Sequence, residues 1–196
     1  MQRLINANFG SGDFFCRFSA PYGTYETEEE FRKEVGKWLD RINYRLKKQG
    51  KGRLKYIAFI ECGKSGKNWH IHIIVSKEDR ELLSEQWPYE NGQNFTPLYK
   101  NENFKKLAEY ITKDLTGKEE VDAAQKRMMT SRNLTKPESV TRKAKRREIR
   151  ALERGEMIEA PEGHYLIEDD YSMNYSDIGG AKWYFCFLPI TQRRKW

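Results

Sequence analysis

The residues this chain has least of are histidine and cysteine, three of each in 196 residues. The cysteines, Cys16, Cys62 and Cys186, are far apart, odd in number and never in CxxC spacing. That argues against a disulfide scaffold or a cysteine-ligated zinc finger and suits a reducing compartment. No apolar run approaches the ~18 residues of a membrane span, and the first residues lack an apolar signal core. The expectation is a soluble, cytoplasmic protein without a membrane partner. Internal repeats and low-complexity tails are missing too. The length fits one domain, and 38% hydrophobic residues with 13% aromatics can fill a core.

Because histidine is scarce, its placement is informative. Two of the three stand in His70-Ile71-His72, within the run Trp69–Val75. That run is short, rich in β-branched residues and bounded by polar loops, so it reads as a strand. Alternate side chains on a strand share a face, which puts His70 and His72 on one side about 7 Å apart. Neutral imidazole is the commonest protein metal ligand, although a histidine pair on a half-buried sheet can equally be satisfied by backbone or carboxylate. A second strand candidate, Tyr56–Cys62, precedes it across the hairpin-like loop Gly63-Lys64-Ser65-Gly66-Lys67-Asn68. An antiparallel pairing with Cys62 opposite Trp69 sets Glu61 opposite His70 and Phe59 opposite His72. Opposed residues share a face with Cβ atoms roughly 5 Å apart, so Glu61, His70 and His72 would converge. A slip of one residue would send Glu61 to the other face. Two imidazoles and a carboxylate can hold a divalent ion and leave positions open for substrate.

Residues 103–115 read as a helix. Phe104, Leu107, Ala108, Ile111 and Leu115 form an apolar stripe, and Lys106, Tyr110 and Lys113 gather on one flank of it. Lysines beside a tyrosine favour its phenolate. A lone YxxK is otherwise ordinary decoration of an amphipathic helix.

A strand, a helix, a hairpin carrying Glu and HxH, then a helix carrying YxxK: in this order the chain resembles the HUH-type rolling-circle replication initiators. In that family two histidines flank a hydrophobic residue, as Ile71 does here, and a carboxylate from the preceding strand often joins them. The resemblance covers about residues 13–115, with residues 13–18 a loose match to the family's first motif. Thr130-Ser131-Arg132-Asn133-Leu134-Thr135-Lys136-Pro137 also looks like a stretch that follows YxxK in small phage and plasmid initiators. The resemblance implies Tyr110 as nucleophile, Lys113 as its charge partner, and Glu61, His70 and His72 as ligands of Mn²⁺ or Mg²⁺. It further implies site-specific nicking and joining of single-stranded DNA at a replication origin through a 5′-phosphotyrosyl intermediate. Unwinding would fall to a host helicase and synthesis to a host polymerase. Three alternatives stay open: a relaxase or transposase with the same chemistry, a non-catalytic single-stranded nucleic-acid-binding module, and a metal-dependent hydrolase using activated water.

The net charge of +7 fits a polyanion partner, and its distribution is uneven. Residues 126–154 carry 11 basic and 3 acidic groups, whereas residues 1–125 carry 21 and 19. Residues 141–154 read as a helix with little apolar surface. Arg142, Lys143, Lys145, Arg146, Arg147 and Arg150 on it are candidate phosphate contacts, with Lys64, Lys67 and Lys106 edging the same DNA. The organisation expected is one HUH endonuclease domain over 1–196, with 117–160 a basic helical insertion or arm within it.

Elsewhere, Thr27 and Glu30 form a T-x-x-E capping box ahead of a stripe of Phe31, Val35, Trp38, Leu39, Ile42 and Leu46, ending near Lys48. Residues 183–188, continuously apolar, read as a late strand interior to the sheet. The fold class is α+β, an antiparallel sheet flanked by helices in an RRM-like sandwich. Two decoys fall away. Residues 58–65 match a relaxed phosphate-loop pattern, but they lead from strand to strand rather than into a helix N-terminus. His164, Tyr165, Tyr171 and Tyr175 lack the spacing of a ligand set or of YxxK and read as surface or packing residues.

Overall fold

The computed structural model describes residues 1–63, 65–99, 104–112, 128–137, 143–176 and 180–190. They belong to two compact units, Met1–Pro137 and Glu138–Trp196. Among the described residues no helix is long and apolar enough to cross a membrane.

The first unit is built on a five-stranded antiparallel sheet. Its strands are β1 (Phe14–Ser19), β2 (Tyr56–Cys62), β3 (Trp69–Val75), β4 (Gln93–Pro97) and β5 (Met128–Thr130), in the order β4-β1-β3-β2-β5. Its helices are α1 (Gln2–Asn6), α2 (Glu28–Lys48), α3 (Arg80–Gln86) and α4 (Lys105–Thr112). The fold class is thus α+β, as the sequence implies.

Helix α2 begins where its capping box predicts. The Thr27 side chain accepts from the Glu30 N–H and the Glu30 carboxylate accepts from the Thr27 N–H, both at 3.3 Å. The stripe from Phe31 to Leu46 is buried against one sheet face, where Cys16, Phe18, Ala58, Ile60, Ile71, Ile73 and Val75 meet it. Alternation sends the odd-numbered residues of β1 and β2 and the even-numbered residues of β3 to the opposite face. There Ile57, Phe59 and Ile74 pack with Ile5 and Phe9, and with Phe104 and Ala108 at the start of α4. Strand β3 is therefore covered on both sides, which explains its nearly continuous apolar run.

Beyond β5, Asn8 clamps the following segment: its side chain donates to the Thr135 carbonyl and accepts from the Thr135 N–H, both at 2.8 Å. Helix α4 is shorter than the 103–115 expected. Phe104 precedes it with φ of 53°, a left-handed conformation that sets its start, and residues 113–127 lie outside those described.

The second unit holds helix α5 (Arg146–Glu153) and a two-stranded ribbon of β6 (His164–Ser176) and β7 (Gly180–Pro189). Two expectations are corrected here. The helix starts at Arg146 rather than at 141, because the Glu148 carboxylate takes the Lys145 N–H at 2.7 Å and fixes the first turn there. The late apolar strand pairs with β6 alone and is not interior to the central sheet. A continuous apolar run signals burial on a strand, but it does not say which strand lies alongside.

Candidate metal centre and nucleophile

The hairpin β2–β3 positions the site. Its register places Cys62 opposite Trp69, Glu61 opposite His70 and Phe59 opposite His72. The connection is tight because the Asn68 carbonyl accepts the Gly63 N–H at 3.0 Å and Gly66 takes a φ of 71°. The same Asn68 carbonyl lies 3.1 Å from His70 Nδ1. With the proton on Nδ1 donated to that carbonyl, the lone pair of Nε2 faces Glu61, which is how structural contacts commonly fix a ligating imidazole.

Glu61 Oε2 lies 3.3 Å from Nε2 of His70 and 3.3 Å from Nε2 of His72. All three potential ligand atoms fall within 4.8 Å of one another. Both imidazoles are buried while the carboxylate is half-buried at the sheet end. Two nitrogens and one oxygen on one face, with the side away from the sheet uncommitted, fit a divalent ion that keeps open coordination positions.

His72 is oriented differently from His70. The Phe15 ring stacks on it at 5.1 Å and 3° between planes, while Nδ1 is buried without a hydrogen-bond partner among the described residues. The Tyr110 ring stands edge-on to both, 5.8 Å from His72 and 6.0 Å from Phe15. Its helix is held by Phe104 and Ala108 in the core below, so the tyrosine is fixed beside a ligand imidazole and remains 40% exposed.

The structure therefore brings Glu61, His70, His72 and Tyr110 together. Lys106 is exposed one turn before Tyr110, and Lys67 is exposed in the hairpin loop. Lys143, Lys145, Arg146, Arg147 and Arg150 are exposed in the second unit. Lys64, Lys113 and Arg142 lie outside the described residues. Sequence reasoning missed Arg17, Ser19 and Asn94. Arg17 faces His72 across β1–β3, Ser19 faces His70, and Asn94 faces Arg17 across β1–β4. The only hint was an arginine at mid-strand in Phe14-Phe15-Cys16-Arg17-Phe18, since pairing between strands some fifty residues apart leaves no local trace.

Residues 23–120, half of the chain, match the family model described as Replication-associated protein, of the ORF2 type. No curated protein and no solved structure matches the chain.

Proposed function

The chain belongs to this family of replication-associated proteins, and from that premise we propose that it initiates replication of a mobile replicon by nicking and rejoining single-stranded DNA at the origin. The observation that carries this reading is the convergence of Glu61, His70 and His72 on one face with the Tyr110 ring against His72. A divalent ion held by those three, Mn²⁺ or Mg²⁺, would draw charge from a non-bridging oxygen of the scissile phosphate.

Tyr110 attacks that phosphorus and becomes joined to the 5′ side, while the 3′ oxygen departs as a free hydroxyl for a host polymerase. Covalent capture keeps the energy of the phosphodiester for the later joining step, so no nucleotide triphosphate is needed. Lys113 stabilises the phenolate or the charge gathering on the phosphate. Lys67 and Lys106, with Lys64 and the basic residues Arg142 to Arg150, hold the strand through its phosphates. A host helicase supplies the unwinding.

The test is incubation of the protein with single strands spanning its replicon's origin and Mn²⁺, followed by a denaturing gel. A protein–DNA adduct that disappears in Tyr110→Phe supports the reading. Cleavage with no adduct would point to a hydrolase using activated water, and binding without cleavage to a non-catalytic module.

A further inference from the structure

Arg17 stands at the centre of the site face without an evident structural task. It lies directly opposite His72 on one side and Asn94 on the other. It is half-buried, its Nε is fully buried, and among the described residues neither Nε nor the rest of the guanidinium has a hydrogen-bond or ion-pair partner. Withdrawing a cation from water is costly unless something replaces the lost hydration. Glu61 is not that partner, because β3 lies between β1 and β2 and two strand spacings separate the residues by roughly 10 Å.

We propose that Arg17 is a second cationic contact to the scissile phosphate, binding the non-bridging oxygen that the ion does not. The inference rests on the nicking reading above and adds to it a residue on β1. Tyr110 touches Phe15 of β1 and His72 of β3, the strands that carry Arg17 and the histidines. A phosphate over His72 would thus have the triad on its β2 side, Arg17 on its β1 side and Tyr110 above. The planar guanidinium fork suits two phosphate oxygens better than an ammonium does. In the step itself the Tyr110 oxygen forms a bond to phosphorus as the bond to the 3′ oxygen breaks. The phenolic proton is released and the 3′ oxygen gains one, so a phosphodiester and a phenol become a phosphotyrosyl diester and an alcohol. Arg17 donates hydrogen bonds throughout and exchanges no proton.

The test compares wild-type, Arg17→Gln and Arg17→Lys in single-turnover adduct formation on origin-spanning single strands with Mn²⁺. The nick site carries either the ordinary phosphodiester or a methylphosphonate, which lacks one charged oxygen. Arg17→Gln should be on the order of 100-fold slower on the phosphodiester, with Arg17→Lys in between. The deficit should shrink at least about tenfold on the methylphosphonate, where less charge needs a partner. Mn²⁺ affinity, titrated without DNA, should stay at the wild-type value in both variants. Arg17→Gln cleaving at the wild-type rate, showing the same deficit on both linkages, or losing Mn²⁺ would overturn the proposal. Those outcomes leave wild-type adduct formation intact. If the wild-type protein forms no adduct, the nicking reading fails and takes the Arg17 role with it.

Discussion

Phenylalanine at position 110 differs from tyrosine by one oxygen, and in this structure that oxygen is the part the packing does not need. The ring edges against His72 and Phe15 would persist in Tyr110→Phe, so the variant should fold, bind Mn²⁺ and bind DNA while forming no adduct. Lys113→Ala removes charge and not the nucleophile, and its single-turnover rate should fall by no more than about 3 kcal/mol in barrier terms. An adduct that persists in Tyr110→Phe would transfer the role to another tyrosine, with Tyr99 the first to examine by peptide mapping. On the opposite face, burial pushes the Cys16 thiol up to about 12, with Arg80 pulling weakly the other way. The folded chain therefore keeps a proton that the unfolded chain releases at the ordinary thiol value of about 8.5. The stability this contributes is complete below that value and is lost as pH rises toward the folded one. Denaturant midpoints should decline in that alkaline window, and less steeply in Cys16→Ala. Equal slopes in the two proteins would mean that other groups, such as the buried Tyr56, dominate.

The hairpin of β2 and β3 turns a sequence pattern into a site, and its register can be tested directly. Glu61 and Cys62 are adjacent, yet only Glu61 shares the face of His70 and His72. Glu61→Ala should weaken Mn²⁺ binding, and adding Cys62→Glu should restore nothing, because the new carboxylate points to the other side of the pleat. Recovery of affinity in the double variant, measured by calorimetry, would mean that the hairpin slips. This element was legible in the sequence because all its determinants are local: alternation, a six-residue loop of turn-forming type and β-branched residues. Helix α2 was legible for the same reason, from Thr27 and Glu30 to the stripe it buries. What remained hidden depends on contacts distant in sequence. The pairing of β1 with both β3 and β4 brings Arg17 and Asn94 beside the histidines, and no periodicity encodes it. The same limit applies to residues 183–188, whose apolar run is a strand but in the ribbon with β6. The starts of α4 and α5 shifted because a positive φ at Phe104 and a carboxylate contact at Lys145 set them, details that hydrophobic spacing does not carry.

At the scale of the whole molecule, charge and chemistry reside in different parts of the chain. The triad and Tyr110 belong to the unit Met1–Pro137, which is close to neutral through residue 125, while residues 126–154 hold most of the positive excess. Lys145, Arg146, Arg147 and Arg150 are exposed at and within α5, as phosphate-contacting groups must be. A protein that neutralises phosphates releases their counterions, so each contact to a single strand adds about 0.7 to the slope of log affinity against log salt. Changing these four residues to glutamine should therefore weaken binding to similar degrees for origin and unrelated strands, and flatten the slope by roughly 2–3. The helix should survive, since glutamine is nearly as good a helix former as arginine and lysine, and circular dichroism can confirm it. Cleavage by the variant should recover when salt is lowered, because affinity is lost while the triad and Tyr110 are untouched. An unchanged salt slope in fluorescence anisotropy would instead make α5 a solvated helix or a protein-binding surface and return the burden of holding DNA to the sheet face, where Lys67, Lys106 and Arg17 would have to supply it.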